Sequence, residues 1–145
     1  MPLSISSYPW TTTITTRWMD NDIYGHVNNV AYYSFFDTAA NQFLIEHGLD
    51  IHAGPIIGLV VESKCEYHAP LAYPEPVRAG VRVDKLGNRA VTYGIAIFGR
   101  DDRAAAHGDF VHVFVDRATR TPTPIPDELR AALASISLHN GGSPE

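Results

Sequence analysis

From Asn29 to His47 the chain places aromatic and aliphatic side chains at Tyr32, Phe35, Phe36, Ala39, Ala40, Phe43 and Leu44. Spacings of three and four put them on one face of an α-helix, opposite a narrow polar stripe of Ser34, Asp37, Thr38 and Asn41. So wide an apolar face does not suit a helix resting on a surface; the spacing predicts a largely buried helix with the rest of the chain built around it. Asn28 is a suitable N-cap and Gly48 a suitable left-handed stop.

Strands are what the sequence offers to cover such a helix. Trp10 to Trp18 is rich in Thr, sets Trp10, Ile14 and Trp18 on one face, and reads as a first strand. After a connection over Leu49 to Pro55, Leu59 to His68 ends in alternation, with Val61, Ser63, Cys65 and Tyr67 against Glu62, Lys64 and Glu66. Val77 to Lys85 alternates likewise, Leu86-Gly87-Asn88 is a hairpin signal, and Val91, Tyr93, Ile95 and Ile97 mark the next run. Asp101-Asp102-Arg103 is a turn, Ala105 to Asp116 the last strand, and Pro124 to Ile136 a short helix. Residues 137–145 read as a flexible tail, leaving residues 1–136 as a single domain. Short connections between the later strands predict an antiparallel meander. The class is α+β with a five-stranded antiparallel sheet; the most economical version curves that sheet around the buried helix, and periodicity leaves a plain open sheet as the alternative.

Charge and composition remove several function classes. The chain carries 11 Lys+Arg against 16 Asp+Glu, a net charge of −5 and the wrong sign for a nucleic-acid partner. Cys65 is the single cysteine and cannot form an internal disulfide, which points to a reducing compartment. Met1 to Trp10 has no basic start followed by an apolar stretch, and the longest apolar run, Pro55 to Val61, is far short of a membrane span. The expectation is a cytoplasmic protein with no membrane association. No G-x-S-x-G, P-loop or G-x-G-x-x-G motif occurs. The histidines offer no metal set: His107 and His112 fall on opposite faces of a strand, and a helix stop separates His47 from His52. Cys65, in mid-strand, reads as a buried structural thiol.

The polar segment Arg17-Trp-Met-Asp-Asn-Asp-Ile-Tyr-Gly-His-Val-Asn-Asn29 places two carboxylates, an imidazole and two amides just before the apolar helix. The first N–H groups of a helix lack backbone partners and carry partial positive charge, so they can receive an oxyanion. A carboxylate a few residues earlier could serve as base or nucleophile on the same carbonyl. The bland alternative is a loop whose Asp and Asn residues only cap turns. Spacing alone does not choose between Asp20 and Asp22.

Asp22-Ile-Tyr-Gly-His-Val-Asn-Asn29, followed by the aromatic helix, resembles the signature of the hotdog-fold acyl-CoA thioesterases, in particular the 4-hydroxybenzoyl-CoA thioesterase-like branch. Glu66-Tyr-His-Ala-Pro-Leu71 resembles that family's second strand and its exit, and Val115 to Pro122 with Ile125-Pro126 its final strand and Pro-led C-terminal segment. The likeness covers about residues 10 to 135. It implies that Asp22 is the catalytic carboxylate and Asp20 its structural partner. It implies too that the Asn29 backbone N–H polarises the thioester carbonyl. His26 and Asn28 look like the His-Val-Asn-Asn variant, which favours acyl-CoA over an aromatic substrate. His26 is a candidate for substrate contact, with a loop-bonding role equally open, and Asn28 reads as a cap. Lys85 and Arg89, flanking the Gly87-Asn88 turn, are the candidate cations for the phosphates of coenzyme A. No metal or organic cofactor is expected, and the partners are an acyl-CoA or other acyl thioester and further copies of the chain, as homodimer or homotetramer. Two rivals remain: an enoyl-CoA hydratase-type lyase on the same fold, and an acyl-CoA-binding domain without catalysis.

Overall fold

Asn28 caps the helix as expected, its Oδ1 accepting from the Val30 N–H at 3.1 Å. Helix α1 then runs over Asn29–Glu46, and Gly48 ends the turn at a φ of +109°, where a side chain would be strained. All seven apolar residues of the predicted face are buried, none more than 4% exposed. The computed structural model describes residues 3–137. Along them the strands are β1 (Trp10–Ile14), β2 (Ile56–Tyr67), β3 (Val77–Leu86), β4 (Ala90–Phe98) and β5 (Ala106–Asp116), followed by helix α2 (Asp127–Ser135). Short 3-10 turns lie at Ile5–Ser7 and Trp18–Asp20.

The sheet is antiparallel throughout, in the order β1-β3-β4-β5-β2. A meander therefore covers only β3, β4 and β5. The expectation that it also takes in β2 is corrected: β2 pairs with β5 at the far edge, and residues 68–76 carry the chain back across the sheet to β3. Helix α1 spans the same width, with Tyr32 against Tyr67 of β2 (ring centroids 5.2 Å apart) and Phe43 against Trp10 of β1 (5.4 Å). Its buried face meets Val77, Ala79, Val81 and Val83 of β3, Val91, Tyr93, Ile95 and Ile97 of β4, and Phe110 and Phe114 of β5.

The first strand is shorter than its Thr-rich segment suggests. It stops at Ile14 because its partner β3 begins at Val77, directly opposite. Beyond it Thr16 donates its hydroxyl to the Glu75 carbonyl (2.9 Å), and Trp18 is 77% exposed rather than sharing a face with Trp10 and Ile14. In β2 the register shifts between Val60 and Glu62, a bulge in the edge strand. The other face of β3 and β4 is covered by Tyr8, which packs with Ala96, Phe98 and Ala104, while the Arg82 guanidinium lies 4.9 Å from the Tyr8 ring centre. Burial on both faces explains the unbroken buried run from Tyr93 to Phe98. Leu129 and Leu133 of α2 join the main core, and Val83 N–H bonds the Ile136 carbonyl at 3.0 Å. From residue 138 onward the expected tail lies outside the described residues. Among the described residues no helix is long and apolar enough to cross a membrane.

Candidate active site

The two aspartates of the polar loop have different surroundings. Asp20 is buried at 4% exposure; its carboxylate accepts from the Arg17 N–H (2.8 Å) and from Arg17 Nη2 (3.0 Å), and its carbonyl from the Asn28 N–H (2.7 Å). It closes the base of the loop. Asp22 sits at the tip, half-buried, with Oδ1 accepting from Tyr24 N–H (2.8 Å) and His26 N–H (3.4 Å). The backbone closes the same turn, Asp22 N–H to the His26 carbonyl at 2.8 Å and Gly25 N–H to the Asp22 carbonyl at 3.0 Å. Gly25 adopts a φ of +82°, which lets the turn reverse so tightly. The loop is fastened to the 68–76 crossover by Val27 N–H to the Leu71 carbonyl (2.7 Å) and Tyr73 N–H to Asn21 Oδ1 (3.0 Å).

Between this loop, the start of α1 and the end of β2 lies an open cleft of about 330 Å³, lined by His26, Val27, Asn29, Tyr32, Tyr67, His68, Ala69 and Pro70. Asn29 is the first residue of the helix, and the Tyr67 hydroxyl donates to its carbonyl at 3.2 Å. The cleft thus has a helix N-terminus on one side and an exposed sheet edge on the other, with the Asp22 turn running directly into its lining. Burial raises the Tyr32 phenol to about 12 and also raises Tyr67, so both remain protonated donors. Cys65 is half-buried, packs against the core, and is pushed up to about 11 chiefly by burial; it is a neutral thiol.

Of the five residues singled out from sequence, the structure lines the cleft with His26 and Asn29, holds Asp22 in the adjoining turn bonded to His26, and leaves Lys85 and Arg89 elsewhere. In the ladders Tyr67 stands opposite Ala106, which faces Ile97, whereas Val60 stands opposite His112, which faces Val91, which faces Leu86. The Lys85–Arg89 hairpin is therefore at the other end of the sheet, roughly 20 Å along the strands from the cleft. Tyr32, Tyr67 and His68 line the cleft but were not among those five. In the sequence Tyr32 stood out only as part of the buried helix face, and Tyr67 and His68 only as the end of the β2 alternation and its likeness to the family's second strand; the crossover that brings them to the helix is not local information.

Two further histidine contacts stand out. His112 is fully buried with Nδ1 3.0 Å from the Tyr93 hydroxyl and Nε2 unpartnered, and burial lowers it to about 4. His107, on the opposite face, bonds His68. Among the described residues no group of three or more His, Cys, Asp or Glu is placed to hold a metal ion.

The sequence pattern of the Thioesterase-like superfamily matches residues 16–133. The PA5185 protein of Pseudomonas aeruginosa PAO1 is 52% identical over 94% of this chain and 97% of its own, with a TM-score of 0.93. The PA2801 protein of the same species is 29% identical over 85% of this chain and 96% of its own (TM-score 0.79). A DHNA-CoA thioesterase from Staphylococcus aureus shares the fold at 21% identity, over 87% and 89% of the two chains (TM-score 0.77). No curated protein matches the chain. With a family pattern that spans the aspartate loop, helix α1 and strands β2 to β5, this chain belongs to the Thioesterase-like superfamily.

Proposed function

We propose that this protein hydrolyses an acyl thioester of coenzyme A to the free acid and the thiol. The observation that carries the reading is the Asp22 turn leading into a cleft walled by the first turn of α1. Because Oδ1 of Asp22 is engaged by its own turn, Oδ2 is the oxygen left to take a proton from water or to attack the carbonyl carbon. The Asn29 N–H, in the first turn of the helix, receives the developing oxyanion. A thiolate leaves far more readily than an alkoxide, so so sparse a site suffices. His26 contacts the substrate from the loop.

The active form is a homo-oligomer, dimer or tetramer, joined along β2. That strand is a sheet edge of 12 residues with Val60, Val61 and Tyr67 exposed, and it forms one side of the cleft. Two β2 edges set antiparallel would place the Val60 end of one copy beside the Tyr67 end of the other. The Lys85–Arg89 hairpin of the second copy would then approach the cleft, which reconciles its distance within one chain with a role in binding the coenzyme's phosphates.

The test is free-thiol release over coenzyme A esters of graded acyl length, run beside crotonyl-CoA hydration. Thiol release with a chain-length optimum is the expected result. Hydration without thiol release would identify a lyase, and binding without turnover a carrier domain; either result overturns the proposal.

A further inference from the structure

We propose that Tyr32 is a specificity-determining residue of this cleft, its hydroxyl donating to a neutral hydroxyl or keto oxygen that the acyl group carries close to the thioester. The inference deepens the thioester reading of the cleft and rests on it. The lining divides by depth. Val27 and Tyr32 are buried, 6% and 3% exposed, and form the floor, while Asn29 and Tyr67 stand exposed at the rim. A thioester carbonyl held at the Asn29 N–H therefore lies at the rim, and its acyl group extends down toward Tyr32.

The two tyrosines use their hydroxyls differently. Tyr67 commits its proton to the Asn29 carbonyl at 3.2 Å. Tyr32 makes its contacts through the ring, edge-to-face with Phe35 (centroids 5.9 Å apart) and with Tyr67 (5.2 Å). Its hydroxyl has no hydrogen-bond partner among the described residues. Phenylalanine would make the same ring contacts, so packing gives the oxygen no role, and a donor left unpaired at this depth is costly. Nor is the oxygen sealed inside the core: among the described residues, His112 Nε2 is the one side-chain polar atom that is both fully enclosed and unpartnered. The Tyr32 hydroxyl therefore meets open space, and the cleft is the space that Tyr32 lines.

Position and charge narrow the acceptor. Tyr32 is one helical turn beyond Asn29, and a long helical side chain leans back toward the N-terminus, which brings the hydroxyl alongside the first turn. With the carbonyl oxygen at the Asn29 N–H, an oxygen on the second or third carbon of the acyl chain is within its reach. Burial raises the phenol to about 12, so it is a donor throughout the neutral range. No Lys or Arg lines the cleft, so a carboxylate on the acyl group would find no counter-ion at this depth; a hydroxyl or keto oxygen needs none. At about 330 Å³ the cleft is at the small end for a ligand site, which suits a short acyl chain.

The test compares butyryl-CoA with 2-hydroxybutyryl-, 3-hydroxybutyryl- and 3-oxobutyryl-CoA in the wild type and in Tyr32→Phe, which removes the hydroxyl and keeps the ring. Thiol release gives kcat/KM. Calorimetry on Asp22→Asn, alone and combined with Tyr32→Phe, gives Kd for the same esters. We expect the wild type to favour at least one oxygenated ester over butyryl-CoA about tenfold, the size of one neutral hydrogen bond, and Tyr32→Phe to erase that preference in both kcat/KM and Kd. No preference in the wild type would mean that water alone serves the hydroxyl, and would overturn the inference. A preference that survives Tyr32→Phe, or an equal loss on all four esters, would overturn it too, the second result placing the hydroxyl on the carbonyl common to them. Thiol release from none of the esters, with a Kd preference that Tyr32→Phe removes, would instead overturn the hydrolase reading and leave Tyr32 as the residue that reads the acyl group.

Discussion

Asp20 and Asp22 carry the same charge two residues apart, and the structure gives them different surroundings. In Asp22→Asn the amide oxygen can still accept from the Tyr24 and His26 N–H groups, so the turn survives while the carboxylate chemistry is lost. We expect kcat to fall about 10²- to 10⁴-fold with the melting temperature within a few degrees of wild type. Asp20→Asn should do the reverse. It weakens a buried acceptor of two Arg17 groups and should cost about 1–3 kcal/mol in urea unfolding, with kcat changed only a few-fold. Activity lost in the Asp20 variant and kept in the Asp22 variant would exchange the roles. His112 sets a second expectation. Its folded pKa of about 4 lies below the ordinary histidine value of 6.5, so the unfolded chain binds the extra proton first. The stability it supports is complete above pH 6.5 and is lost as pH falls toward 4. That amounts to about 2 kcal/mol between pH 7.5 and pH 5. His112→Gln should flatten this part of the pH dependence; an unchanged slope in urea melts would show that His112 is not its source.

At the scale of the elements, β2 positions Tyr67 and His68, and its hold on β5 depends on Gly108. A Cβ at Gly108 would run into the Lys64 carbonyl of β2, backbone that no rotamer change can move aside. Gly108→Ala should force the two strands apart near Cys65 and cost about 2–4 kcal/mol. Thiol release should fall with it, because the displaced strand carries one side of the cleft. A variant with wild-type urea midpoint and rate would mean that the strands adjust freely there. The opposite edge makes a contrast: β1 is only five residues long and ends where β3 begins. Of the two edges, β2 is the one built to take a further strand.

For the whole molecule, most of the large exposed apolar side chains among the described residues lie at the β2 edge or the aspartate loop, Ile45 and Ile51 at the other end of α1 being the exceptions. Val60, Val61 and Tyr67 lie on the β2 edge, and Trp18, Met19, Ile23, Tyr24 and Val30 lie on or beside the aspartate loop, the last five all at least 70% exposed. Such surfaces fit the proposed covering of the β2 edge by a second copy of the chain. Light scattering at micromolar concentration should give a dimer or larger. Replacing both Val60 and Val61 by Asp should shift it to monomer and reduce turnover more than tenfold. A fully active wild-type monomer would rule the assembly out as the functional form.

Local signals decided much of this protein. The three-and-four spacing from Tyr32 to Leu44 determined which helix face is buried, Asn28 and Gly48 its limits, and the alternation in Val77–Lys85 the face of β3 that meets it. Those properties depend on neighbours within a turn or two of the chain, and the sequence states them directly. Strand order, the covering of β4 by Tyr8, and the meeting of His68 with His107 depend on contacts between residues far apart in sequence. The distinct environments of Asp20 and Asp22 were likewise illegible in the bare spacing. A two-residue separation has the same charge at either position, and only the folded loop buries one carboxylate against Arg17 and sets the other, half-buried, in the turn beside the cleft. Spacing along the chain fixes which face a side chain is on; what stands opposite that face is settled by the closure of the sheet, which no local pattern encodes.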